Sequence, residues 1–230
     1  MSGRVFYVTG GALAVVIVVV AVLLGVTLAS RAGTPGLSSS LSNLMGLDKL
    51  LKPRPAPGFT LTDQNGKTVS LAGLRGKVVV LEFMDPHCTD ICPIVSQEFR
   101  QAYKDLPASA RDRVAFVAVN VNRYNESVAD MRAYTDEQRL YTVPTWHFVT
   151  GSTPALERTW SDYGVYVYAP GPKADVVHTS VVYWISPNGM EEALASPVAD
   201  HHKNGSAFLP AGQESAWARG IATEAVAFGA

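Results

Sequence analysis

The chain has 230 residues, a net charge of −1 and a charged fraction of 17%. That balance provides no basic face for nucleic acid and no acidic tail. Beyond the N-terminal quarter roughly 170 residues remain, enough for one globular domain with its own core, and no internal repeat is present.

Residues 5–30 carry no charge and are dominated by Val, Ala, Leu and Gly, with Arg4 before the run and Arg31 after it. As a helix, about 25 residues at about 1.5 Å each exceed a hydrocarbon core of about 30 Å. This predicts an uncleaved transmembrane anchor over residues 1–31. The competing reading is a cleaved signal peptide ending at Thr27-Leu28-Ala29, but the apolar run is about ten residues longer than such a segment needs. Arg31, Lys49 and Lys52 face Arg4 across the run, so flanking charge does not orient it. A short N-terminal tail with a large C-terminal domain fits export of that domain. The expected location is therefore a cell membrane, single-pass, with the C-terminal domain on the extracytoplasmic (periplasmic or equivalent) side.

Residues 32–57 read as a linker, flexible through Gly33-Thr-Pro-Gly36 and Ser38-Ser-Ser40 and stiffer through Pro53-Arg-Pro-Ala-Pro57. Between them Leu41, Leu44, Leu47, Leu50 and Leu51 recur at helical spacing. They predict a short amphipathic helix, either at the membrane surface or packed on the soluble domain.

Residues 58–230 form the expected globular domain. Phe59 to Asp63 and Thr68 to Leu71 flank Asn65-Gly66, a hairpin signal. Strands are expected over 77–84, 114–121, 145–149 and 176–185, and helices over 93–106, 127–140 and 214–228, with Ser127 as a cap. Strands alternating with helices predict an α/β fold whose sheet is covered on both faces.

Both cysteines of the chain, Cys88 and Cys92, lie between the strand ending near Met84 and the helix that follows. A helix mouth offers unpaired N–H groups and a positive dipole end, which favour thiolate. At i and i+4 two sulfurs face the same side about one turn apart. Such a pair can chelate one metal ion or close a disulfide. A mere structural staple is the weaker reading, because so short a loop restrains the unfolded chain little.

Gly76-Lys77-Val-Val-Val, Cys88-Thr-Asp-Ile-Cys92-Pro93, Trp146-His-Phe-Val-Thr-Gly151 and His178 ahead of Val181-Val-Tyr-Trp-Ile-Ser-Pro-Asn-Gly189 together resemble the Sco/SenC proteins. The resemblance spans about residues 59–189. It implies a thioredoxin-like central sheet flanked by helices, membrane anchoring, and copper held by Cys88, Cys92 and His178. It also implies work on the CuA-bearing subunit of cytochrome c oxidase, either copper delivery or upkeep of that subunit's thiols. Other copper chaperones would then be partners as well.

The chemistry of the three residues agrees with that expectation. Two thiolates and an imidazole are a soft, low-coordinate set that suits Cu(I) and accepts Cu(II), whereas structural zinc usually takes a fourth ligand. A thiol–disulfide oxidoreductase or a redox or copper sensor using Cys88 and Cys92 is the alternative. The usual redox motif, however, has two intervening residues and needs no distant histidine. On balance the chain is expected to be a metallochaperone rather than an enzyme. The two roles are compatible, since metal binding requires reduced thiols and oxidation releases the metal.

His87 is expected to face solvent, His147 to be a hydrogen-bonded core residue, and His201 and His202 to lie in a polar loop. One departure from the family pattern stands out. Residues 119–124 read Val-Asn-Val-Asn-Arg-Tyr where family members carry an acidic Asp-Pro segment. The Tyr-, Gly- and Pro-rich stretch 163–175 precedes His178 and is placed to cover the site.

Overall fold

A computed structural model describes residues 39–196, 200–202, 207–209 and 213–230. The anchor expected over residues 1–31 lies outside them, and among the described residues no helix is long and apolar enough to cross a membrane.

The elements in chain order are α1 (Ser39–Met45), β1 (Asp48–Pro55), β2 (Thr60–Thr62), β3 (Thr68–Ser70), β4 (Val78–Met84), α2 (Ile91–Asp105), β5 (Val114–Asn120), α3 (Val128–Glu137) and β6 (Trp146–Val149). They continue as α4 (Thr153–Asp162), β7 (Val167–Tyr168), β8 (Val177–His178), β9 (Val182–Ile185), β10 (Met190–Ala195), β11 (Asp200–His201), β12 (Ala207–Phe208) and α5 (Gln213–Ala227). Six strands form the central sheet in the order β1-β10-β9-β4-β5-β6. β4 and β6 run parallel to β5, while β9 pairs antiparallel with β4 and β10.

Every residue of β4 and β5 is buried, which explains why both read as unbroken apolar runs. Side chains alternate between two cores. Val78, Val80 and Met84 of β4 face one, with Phe99 of α2 and Trp217 and Ile221 of α5. Val79, Leu81 and Phe83 face the other, with Leu156 and Trp160 of α4 and with the β2–β3 hairpin.

Residues 48–55, expected as linker, are instead the edge strand β1, paired antiparallel with β10. Pro53 and Pro55 are compatible with this because an edge strand has one side whose N–H groups need no partner. Arg54 fixes the strand by a bidentate bond to the buried Glu191, at 2.9 and 3.1 Å. Of the leucine run, Leu41 and Leu47 pack on the domain's core, whereas Leu51 is wholly exposed. The helix stops before Gly46, whose φ of +57° is the left-handed conformation that ends helices.

The strand expected over 176–185 is two. β8 pairs with β7, and β9 joins the sheet. The capping box at Ser127 is present, with Asp130 as its partner. The final helix packs on its own domain, burying Trp217, Ala218, Ile221 and Ala225.

Candidate metal and thiol site

β4 ends at Met84, the chain turns through a Cys88 N–H bond to the Asp85 carbonyl at 3.1 Å, and α2 begins at Ile91. Cys92 therefore lies in the first turn, where backbone N–H groups have no intrahelical acceptor. Its N–H donates to Cys88 Sγ at 3.4 Å. Pro93 follows without cost, because its missing N–H is one of those spare donors.

The two thiols are free and unequal. Cys92 is 2% exposed and Cys88 half-buried. The hydrogen bond from the Cys92 thiol, helped by the amides of Cys92 and Asp90, brings Cys88 down from 9.0 to about 7 against the opposing effect of burial. Cys92 moves the other way, held up by its bond to Cys88 and by burial. Cys88 is thus the more acidic thiol, about half ionised at pH 7, and Cys92 the thiol that hydrogen-bonds to it.

His178 ends β8, half-buried. Its Nδ1 lies 3.0 Å from the Thr179 carbonyl, which can only accept, so Nδ1 carries the proton and Nε2 keeps its lone pair. Burial lowers its pKa and favours the neutral ring. Cys88 and His178 line one cavity of about 600 Å³, together with Asp85, His87, Asp90 and Ser180. Among the described residues, no three His, Cys, Asp or Glu side chains stand close enough together to hold a metal ion. The imidazole and the Cys88 sulfur share a cavity, with Cys92 buried in the helix turn beside it, and the three do not meet in ligating geometry.

The 163–175 stretch forms part of this surround. Tyr163 is buried, and β7 within the stretch pairs with β8, so that Val167 stands opposite His178. In the stretch 119–124, where family members carry an acidic Asp-Pro segment, Asn120 and Asn122 are buried. Asn122 Nδ2 donates to Asp85 Oδ1 at 3.0 Å, and the His87 N–H donates to the same oxygen at 2.9 Å. Asp85, on the thiol loop, is one of the carboxylates that line the cavity, with Asp90 and Asp175. Two acidic residues of this region, Asp85 and the buried Glu82 of β4, carried no role in the sequence reading. A charged residue inside the apolar run Val78 to Phe83 was the available signal.

The remaining histidines stand apart from the thiols in role. His87 is largely exposed, 3.7 Å from Asp130. His147 Nδ1 lies 3.1 Å from Asp63 Oδ2, as a hydrogen-bonded histidine. His202 stacks on Phe208 with centroids 4.2 Å apart.

A mixed sheet flanked by helices, with a reduced dithiol at the mouth of the helix that follows a central strand, defines a thioredoxin-like α/β domain. A family model described as SCO1/SenC matches residues 48–204, and the chain belongs to that family. It is 28% identical over 133 residues to the SCO1 protein homolog of Bacillus subtilis, covering 57% of this chain and 68% of that one. It is 31% identical over 138 residues to the mitochondrial SCO2 homolog of Mus musculus, covering 57% of this chain and 52% of the mouse protein, so that it spans about half of that relative's length. The crystal structure of Arabidopsis thaliana ScoI with copper bound superposes with a TM-score of 0.55 at 25% identity, over 64% of this chain and 91% of that one.

Proposed function

We propose that this chain binds copper through the Cys88 and Cys92 sulfurs and His178 Nε2 and passes it to the CuA-bearing subunit during assembly of cytochrome c oxidase. The observation that carries the reading is the shared cavity. Its walls present the Cys88 sulfur, whose pKa is lowered to about 7, and, on a separate segment, a neutral ring with a free lone pair. Soft thiolates suit Cu(I), and the added imidazole suits Cu(II). Metal binding supplies the driving force to draw the β7–β8 hairpin toward the helix mouth. The copper-bound Arabidopsis relative supports the choice of metal. Anchoring by residues 1–31, with the domain on the extracytoplasmic side, belongs to the same proposal.

A second reading, thiol–disulfide oxidoreductase, is favoured by the inequality of the thiols. A lowered Cys88 and a raised Cys92 have the polarity of an attacking and a resolving pair. In cells lacking the protein, at limiting copper, the delivery role predicts oxidase deficient in CuA and restored by added copper. Oxidase with normal metal content under those conditions would select the redox reading.

A further inference from the structure

Where backbone pairing between β4 and β9 stops, a side-chain bond takes over. The ladder runs through Val79–Ile185, Val80–Trp184 and Leu81–Tyr183. The next β4 residue is Glu82, 1% exposed, whose Oε1 accepts a hydrogen bond from Ser180 Oγ at 3.0 Å. Ser180 lies two residues after His178 and two before β9, and it lines the cavity with Cys88 and His178. One end of this bond is on the strand whose exit carries the thiols, and the other is on the segment that carries the imidazole.

A carboxyl in a buried strand is a costly choice where its neighbours on the same face, Val80 and Met84, are apolar. Burial pushes Glu82 up to about 8, opposed first by Ser180 and then by the amides of Phe83 and Val181. Its Oε2 has no hydrogen-bond partner. On the other flank, the Thr179 N–H donates to the Tyr166 carbonyl at 3.0 Å and the Tyr166 N–H to Thr179 Oγ1 at 3.2 Å. The imidazole is therefore tied toward β7 at Thr179 and toward β4 at Ser180.

Resting on the ligand reading above, we infer that Glu82 is a positioning residue. Through Ser180 it holds the His178 segment against the thiol strand, so that the imidazole stays within reach of Cys88 and Cys92. A serine hydroxyl donating to an acceptor is what the tie requires, and an amide oxygen at residue 82 supplies that as well as a carboxylate does.

The test uses the full chain in detergent, reduced, with Ser180→Ala, Glu82→Ala, Glu82→Gln and His178→Ala in parallel. Cu(II) is titrated alone and followed by the sulfur-to-copper absorbance, and backbone hydrogen exchange over residues 176–181 is measured without metal. Ser180→Ala and Glu82→Ala are expected to weaken Cu(II) binding about tenfold and to speed exchange in that segment, with Cys88 alkylation unchanged. Glu82→Gln should restore both. Wild-type Cu(II) affinity and wild-type exchange in Ser180→Ala, alongside lost Cu(II) binding in His178→Ala, would overturn the positioning role and leave the ligand reading standing. Cu(II) binding indifferent to His178→Ala would overturn the ligand reading itself. Ser180→Ala removes one oxygen only, so it decides the matter even where Glu82→Ala fails to fold.

Discussion

The Cys92 amide donates to the Cys88 sulfur at 3.4 Å, across the first turn of the helix that follows the central strand. The hydrogen bond between the two thiols, with this amide beside it, gives unequal roles to two chemically identical side chains. The outer sulfur collects donors from Cys92 and Asp90, while the inner one is buried and spends its proton on the outer.

Alkylation separates the two thiols. Cys88 is expected to react first with iodoacetamide, with a rate midpoint at about pH 7, and Cys92 to stay protected. In Cys92→Ala the midpoint for Cys88 should rise, because the largest contribution holding it down is the Cys92 side chain. Rate against pH, with the modified residue located by mass spectrometry, checks both.

Glu82 makes stability depend on pH. Its pKa rises from 4.5 to about 8 on folding, so the native state holds this proton more tightly than the unfolded chain does. Its stabilisation is complete below pH 4.5 and is lost as pH climbs toward about 8, with a slope of up to about 1.4 kcal/mol per pH unit. His178, lowered from 6.5, works in the opposite direction below that value. The difference between wild type and Glu82→Gln isolates the carboxyl, and denaturant midpoints at pH 5 and pH 7 should converge in the variant relative to wild type.

Residues 48–55 belong to the folded sheet, and Arg54 shows it energetically. Glu191 is fully buried, and Arg54 is its bidentate partner from the exposed edge. Arg54→Ala should cost about 1–3 kcal/mol, between the values for exposed and buried pairs. A severed linker contact would cost nothing measurable in chemical denaturation.

Gly220 admits α1 to the domain. A Cβ there would lie 1.9 Å from Met45 Sδ. Although alanine favours helix intrinsically, Gly220→Ala is expected to destabilise by about 1–3 kcal/mol through overpacking. Met45→Ala should relieve part of that loss in the double variant, measured by a thermodynamic cycle.

What the sequence disclosed depended on how local the signal was. The β4 and β5 runs, the Asn65-Gly66 hairpin, the Ser127 cap and the thiol pair at a helix mouth each announce themselves within a few residues. β1 did not. Pro53 and Pro55 read as a spacer because nothing nearby shows that an edge position in the sheet will accept them. The leucine spacing from Leu41 to Leu51 suggested one helix, yet Gly46 divides it into a helix and a strand. α4 had its signal in Ser152, Pro154, Leu156 and Trp160, hidden behind a Gly-Ser-Thr-Pro stretch that resembles a loop. The break between His178 and Val182 was invisible because it depends on which strand each half pairs with, β7 or β4. Glu82 and Asp85 gain their meaning only from Ser180 and Asn122, which are far along the chain.

The most direct measurement is a copper titration of the reduced full chain, wild type and the single variants Cys88→Ala, Cys92→Ala and His178→Ala, followed by absorbance. One copper per wild-type chain is predicted. His178→Ala is expected to lose the Cu(II) spectrum while Cys88 and Cys92 still oxidise to a disulfide, and either cysteine variant should lose binding outright. Unchanged stoichiometry and an unchanged Cu(II) spectrum in His178→Ala would contradict the assignment of that imidazole.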